Sequence, residues 1–206
     1  MISQSFWYET LDSTMDEAKR LIQSGKINDI ALIVSNHQTN GRGTRGRKWS
    51  SPEGAGIYLS IVHLPKQDKF FEATSLYTLA CGIACIETIK TMYDIELQIK
   101  PINDIYFNDK KLGGILVESK LHKDGISSLI TGVGINLQKS LHNLDRDVVL
   151  PVSLEEIIGC NEFSVFSREK LIEAVVAKVC FWYSKIFNRE HSEIKSTWES
   201  YCRDQN

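Results

Sequence analysis

The sequence predicts an α+β domain, a mixed, mainly antiparallel sheet packed by helices, and three observations predict it. Runs of strand character cluster between residues 6 and 137, one long helical pattern interrupts them, and from Leu154 onward the pattern is helical. Strands and helices that are segregated along the chain favour α+β over an alternating, doubly wound parallel sheet. With 206 residues and no internal repeat, low-complexity tract or linker, a single domain over 1–206 is expected.

Phe6 to Glu9 reads as a short strand. Ser13 to Ser24 reads as a helix, with Thr14 and Glu17 at capping-box spacing and Gly25 as its stop. A helix start of this kind also suits an anion or polar ligand. Ile30 to Ser35 is an apolar run of strand length, and Asn36 to Gly56 is polar, Gly-rich and without periodicity, hence a long loop. Ile57 to Leu64 alternates as a strand does. Phe70 to Tyr93 carries Phe71, Leu76, Leu79, Ala80, Ile83, Ile86 and Ile89 at helical spacing and is expected to be the central core helix. Ile95 to Lys100, Asp104 to Phe107, Leu112 to Ser119 and Ser127 to Leu137 read as strands of an antiparallel meander, turned at Asn108-Asp109 and at Lys123-Asp124-Gly125. Ser167 to Phe187 is the strongest of the late helices and His191 to Tyr201 a weaker one.

Composition narrows the function classes. A hydrophobic fraction of 42% and a charged fraction of 24% are ordinary for a soluble globular protein, and no long uncharged apolar run is present to span a membrane. Met1 leads into Ser5-Phe6-Trp7-Tyr8 without a basic, apolar and cleavable leader pattern, so the cytoplasm is the expected compartment. The five cysteines (Cys81, Cys85, Cys160, Cys180, Cys202) lack the paired spacing and neighbouring histidines of a zinc site. A net charge of −2 provides no global attraction for DNA or anionic lipid, so phosphate affinity needs a local cluster.

Gly41-Arg42-Gly43-Thr44-Arg45-Gly46-Arg47-Lys48 is such a cluster, with four cations and three glycines in eight residues and no carboxylate among them. Glycines let backbone N–H groups approach a phosphate, and guanidinium forks bind phosphate or carboxylate oxygens in pairs. The same pattern also describes a solvated basic loop, or an Arg/Gly segment of an RNA-binding protein. On spacing alone these readings stand level.

The continuation Trp49-Ser50-Ser51-Pro52, leading into an apolar strand, resembles the Gly-Arg-Gly-Arg-x-Gly-Arg-x-Trp loop of the biotin protein ligases, within the biotin/lipoate ligase group. Lys100-Pro101-Ile102-Asn103-Asp104 resembles that family's Lys-Trp-Pro-Asn-Asp segment. Lys111-Leu112-Gly113-Gly114-Ile115 and Gly132-Val133-Gly134-Ile135-Asn136 are similar to two further family strands, and Ser13-Thr14 and Gln38 fall in their family order. The ordered matches cover residues 9 to about 137.

The resemblance implies the class II synthetase-like catalytic fold and a two-step reaction: biotin and ATP form biotinyl-AMP, and the biotinyl group then passes to a lysine of a biotin carboxyl carrier domain. It implies Lys100 and Arg42 as catalytic residues, and Ser13, Thr14, Gln38, Gly41, Arg42, Gly43, Thr44, Lys100, Gly132 and Ile135 as the biotin site. It implies Arg42, Arg45, Arg47, Trp49, Lys100, Asn103, Lys111 and Asn136 about the nucleotide, with Mg²⁺ accompanying ATP and Asp104 as a weak candidate ligand for it. Each residue also has a plainer use: helix capping at Ser13 and Thr14, a snorkelling strand-end lysine at Lys100, turn formation at Asn103 and Asp104, a solvated charge at Lys111. No general base for the transfer to lysine is identifiable.

Some places depart from the family pattern. Thr44 stands where many members have arginine, which removes a charge and a donor fork. Pro101 replaces the usual tryptophan and Ile102 the usual proline, so the fixed φ moves by one residue. No winged-helix segment precedes the first motif, so a repressor role and DNA binding are not expected, and the chain ends where the family continues into a small β-barrel. A homodimer through an exposed sheet face is compatible with this reading. A lipoate ligase shares the fold and the adenylation chemistry, and the Gly-Arg-Gly loop argues against it.

Overall fold

β1 (Gln4–Leu11) and β2 (Ala31–Gln38) lie side by side and parallel, linked through α1 (Thr14–Gln23), and every other pairing in the sheet is antiparallel. β3 (Gly56–His63), β4 (Gln98–Lys100), β5 (Asp104–Phe107), β6 (Lys110–His122) and β7 (Gly125–Asn136) complete seven strands in the order β1-β2-β3-β7-β6-β5-β4. The computed structural model describes residues 2–64, 74–122, 125–139, 150–159 and 167–202. The α+β class and the meander from β4 to β7 are as expected from the sequence. The expected turn at Lys123-Asp124, the start of the central helix with Phe71, and Cys160 lie outside the described residues.

The two faces of the sheet are covered unequally. On one face α2 (Thr74–Tyr93) is sandwiched between the strands and α4 (Arg168–Phe187), so it is apolar nearly all round. Leu76, Ala80, Ile83, Ile86 and Ile89 are buried there against Leu59, Ile99, Ile105, Ile115 and Ile135 from the strands and Leu171, Val175 and Val179 from α4. Two shorter helices follow the sheet, α3 (Leu154–Ile158), which carries a complete Ser153–Glu156 capping box, and α5 (His191–Tyr201). On the other face α1 packs Met15, Ala18 and Leu21 onto Ala31, Ile33, Val62 and Ile130. That helix covers the β2-β3-β7 side, and beyond it the face receives the Arg/Gly loop. Among the described residues no helix is long and apolar enough to cross a membrane.

Three local features differ from the sequence reading. The N-cap of α1 is Ser13, whose hydroxyl accepts from Met15 N at 3.3 Å, and no capping box forms. Glu17 instead accepts from Tyr8 Oη at 2.9 Å and pairs with Arg20 at 2.6 Å. β2 runs on to Gln38, three residues into the expected loop, because its backbone pairs with Thr10 and Leu11 of β1, and backbone pairing is indifferent to polar side chains. β4 is only three residues long, while Ile95 and Leu97 are buried ahead of it without strand pairing.

Because Ile86 is fully buried between sheet and α4, Ile86→Ala is expected to destabilise the fold by about 2–5 kcal/mol. Urea unfolding checks this as a lower midpoint at unchanged slope.

Candidate active site

One line of residues crosses the sheet in register: Tyr8, Ser35, Tyr58, Gly134, Gly114, Asp104 and Lys100, one from each strand. Paired residues share a face, and this line lies on the α1 side. Its centre is bare backbone, since β7 and β6 each present a glycine there. Trp49 occupies that gap. A Cβ on Gly134 would stand 2.5 Å from the indole Cε2, and one on Gly114 would stand 3.2 Å from Cζ3, so the ring lies against the two strands only because both side chains are absent. The indole Nε1 is buried and has no hydrogen-bond partner among the described residues, a donor free for a ligand.

Lys111 and Asp104 border the indole. Lys111 Nζ is 5.4 Å from the centre of the Trp49 ring and 2.7 Å from Asp104 Oδ1. Asn103 Nδ2 donates to the same Asp104 oxygen at 3.1 Å and to Ile115 O at 3.0 Å, so Asn103 ties the β4–β5 turn to β6. The Lys111 backbone is fixed by the segment before α3 and by β7: its N–H donates to Leu150 O at 2.8 Å, and its carbonyl accepts from Val152 N at 2.9 Å and from Asn136 Nδ2 at 3.3 Å. Asn136 Nδ2 also donates to Val152 O at 3.1 Å.

On the other side of the indole lies the start of α1. Thr14 N donates to Gln38 Oε1 at 2.8 Å, Gln38 Nε2 donates to Ser51 Oγ at 2.8 Å, and Ser60 Oγ donates to Thr14 Oγ1 at 2.8 Å. Ser13 and Thr14 are both buried. The next row of the sheet places Gly132 against Met15, whose sulfur would stand 2.8 Å from a Cβ there. This corner is apolar with hydroxyl and amide groups at its edge, the lining a small apolar ligand with a polar head requires.

The Arg/Gly loop closes over this face as a turn of its own. Gly43 N donates to Arg47 O at 2.7 Å and Trp49 N to Gly41 O at 2.9 Å, with a single 3-10 turn over Thr44–Gly46 at the tip. Gly41 is obligatory, since a Cβ there would stand 2.4 Å from Trp49 O. Thr44, the family departure, accepts from Arg47 Nη2 at 2.9 Å through its hydroxyl. Arg45, Arg47 and Lys48 are exposed, whereas Arg42 turns inward to Asp16 and Glu118 at 2.8 and 3.1 Å. Behind the loop, Arg168 at the start of α4 donates to Gly56 O at 3.0 Å and Ser35 O at 2.8 Å. Burial pushes its pKa down and that of the neighbouring Tyr58 phenol up.

The structure therefore gathers Ser13, Thr14, Gln38, Gly41, Arg42, Trp49, Asn103, Asp104, Lys111, Gly132 and Asn136 around one face. Two sequence candidates stand apart. Lys100 is exposed on the edge strand, its Nζ 5.5 Å from the Tyr106 ring centre, and two strand spacings, about 10 Å, separate it from Gly114. Ile135 points into the α2 core and offers only backbone to the site. Asp104 does not stand free for a metal, being engaged by Lys111 and Asn103, and the described residues contain no cluster of three or more metal-ligating side chains. Sequence reasoning missed Asp16, Glu118, Met15, Ser51 and Ser60. Their only signal was polarity or size at the outward positions of α1, β3 and β6 and, for Ser51, in the loop before β3, which acquires meaning once the strand register is known.

The biotin/lipoate A/B protein ligase family matches residues 7–136, more than half of the chain, and the chain belongs to that family. Among curated relatives it is 31% identical over 207 residues to the bifunctional ligase/repressor BirA of Bacillus spizizenii, covering 98% of this chain and 61% of that protein. To BirA of Escherichia coli K12 it is 30% identical over 71% of this chain and 50% of that protein, so it spans between half and three fifths of these two relatives. Among solved structures it resembles a biotin protein ligase from Aquifex aeolicus in complex with biotin and ATP, at 29% identity and a TM-score of 0.79 over 98% of this chain and 79% of that one. A biotin protein ligase from Leishmania major in complex with biotin, at 23% identity, shares the fold with a TM-score of 0.80, covering 100% of this chain and 84% of the other.

The indole seat predicts that Gly134→Ala displaces Trp49. The emission difference between each protein and its Trp49→Phe counterpart isolates this residue, and it is expected to shift to the red in the Gly134→Ala background.

Proposed function

We propose that this chain joins biotin to a lysine of a biotin carboxyl carrier domain, using ATP and passing through biotinyl-AMP. The observation that carries the reading is the face just described: a cation, Lys111, beside an indole with a free N–H, next to an apolar corner ringed by hydroxyl and amide groups, in a chain of this family. The biotin protein ligase from Aquifex aeolicus, whose structure holds biotin and ATP, supports the same assignment.

In the first step a biotin carboxylate oxygen attacks the α-phosphorus and pyrophosphate leaves. Two anions must approach, so the main requirement is positive charge placed in advance. Lys111 fits this task better than Lys100. It is held on the backbone by three hydrogen bonds and lies against the indole, whereas Lys100 stands at the exposed rim. Arg42 provides the second inward cation, and Arg45 and Arg47 on the exposed loop tip are placed for the outer phosphates. The corner lined by Thr14, Gln38, Ser60, Met15 and Gly132 takes the biotin rings, and Trp49 separates it from the nucleotide side. Magnesium accompanying ATP would supply further positive charge for its phosphates. In the second step the neutral amine of the carrier lysine attacks the acyl carbon and AMP leaves. A loop that closes over the mixed anhydride protects it from water.

Biotin-dependent exchange of labelled pyrophosphate into ATP tests the first step, with lipoate as a rival acid. Exchange with biotin alone is expected, Lys111→Ala is expected to lower it about 100-fold or more, and Lys100→Ala is expected to cost less. Exchange supported by lipoate instead would move the assignment within the family, and no exchange with either acid would overturn it.

A further inference from the structure

The sheet forks beside the site. β2 and β3 pair from Ala31 with Val62 as far as Ser35 with Tyr58, and no further. Beyond that point β2 stays with β1 up to Gln38, while β3 begins at Gly56 against Asn136 of β7. The two prongs carry different halves of the site. Gln38, on the β2 prong, holds Thr14 N and Ser51 Oγ and with them the corner of hydroxyl and amide groups. Asn136, beside the β3 prong, holds the carbonyl of Lys111.

One side chain donates to both prongs. Arg168 Nη2 donates to Ser35 O at 2.8 Å, and its Nε donates to Gly56 O at 3.0 Å. Two backbone bonds also cross the fork, Gly54 N to Asn36 O and Gln38 N to Ser51 O, each at 3.1 Å, but they run to the segment ahead of β3 rather than to β3 itself. The place is an unfavourable one for a cation. Arg168 is the first residue of α4, where the free N–H groups of a helix start disfavour positive charge. It is half-buried, and both of those bonds go to neutral carbonyls. Helix energetics and desolvation thus oppose a guanidinium here, and the planar donor fork that spans two carbonyls is what offsets them.

We infer that Arg168 is a positioning residue: by bridging the ends of β2 and β3 it fixes the spacing between the Gln38–Thr14 corner and the Lys111 side of the site. Its contacts lie on the strand ends, outside residues 41–49. Each substrate binds within its own half, whereas bond formation between them depends on their separation, and an error of about 1 Å costs about 100-fold in rate. The consequence for turnover rests on the biotin ligase reading; the clamp itself does not.

Hydrogen–deuterium exchange of the ligand-free chain, read on peptides covering residues 33–38 and 55–59, tests the clamp. Arg168→Met keeps side-chain length and helix propensity and loses both donors. Deuterium uptake in both peptides is expected to rise about tenfold, with peptides from α2 unchanged. Arg168→Lys, which keeps the charge without the fork, should fall between Arg168→Met and the wild type. Uptake at the wild-type rate in both peptides of Arg168→Met, or of Arg168→Lys should Arg168→Met fail to fold, overturns the clamp whatever the activity. In the pyrophosphate exchange assay Arg168→Met is expected to lower kcat about tenfold, with the KM for biotin and for ATP kept within about threefold, and Arg168→Lys is expected to recover part of kcat. An unchanged kcat, or a loss confined to KM, overturns the consequence for turnover. A wild type inactive with biotin overturns the functional reading and leaves the deuterium result standing.

Discussion

The contact of Trp49 with the bare backbone of Gly114 and Gly134 is the constraint on which the site depends. Two strands must each place a glycine at the same height, and β6 and β7 do so because Gly114 and Gly134 are register partners. The indole then fixes the end of the loop, the loop covers the face beyond α1, and Lys111 is brought against the ring. Side chains on either glycine would lift the indole and with it the wall between the two halves of the site. The opposite face of the same strands is an ordinary apolar core under α2, which keeps the register from slipping: a shift by one residue would exchange Ile135 with Gly134 and turn the core outward.

The cations turned into this face are already paired. Lys111 stands on Asp104, and Arg42 stands between Asp16 and Glu118. In the proposed chemistry, binding of anions is then an exchange of partners rather than the filling of a bare positive pocket. Unpaired cations crowded on a half-buried surface would repel one another and destabilise the fold. The carboxylates relieve that repulsion and also set where each cation points. Among the described residues Trp49 Nε1 and, on Arg42, both Nε and Nη2 have no hydrogen-bond partner and remain for a ligand to satisfy.

Much of this was legible in the sequence because it rests on local rules. The strand order of the meander follows from short turns, α2 from its apolar spacing, and the loop from its glycines and arginines. Ser13, Thr14 and Gln38 do meet at the start of α1, although the cap lies on Ser13 and no capping box forms. What the sequence hid is set by strand register and crossover. The parallel pairing of β1 with β2 extends β2 through polar residues that read as loop. Lys100 and Lys111 look alike as strand-end lysines, and only the sheet order tells which stands at the edge and which beside the indole. Ile135 was drawn into the expected ligand site by its neighbours Gly132 and Gly134, yet alternation turns it into the core. Glu118 is 76 residues from Arg42, and no periodicity relates them.

Native mass spectrometry of the chain incubated with biotin, ATP and magnesium tests the account most directly, since it asks whether this face builds and keeps the mixed anhydride. The account predicts one non-covalent adduct per chain with the mass of biotinyl-AMP, formed only when both biotin and ATP are present. A chain that carries ATP or biotin singly but never the joined product, or that builds the lipoyl adenylate in preference, would contradict it.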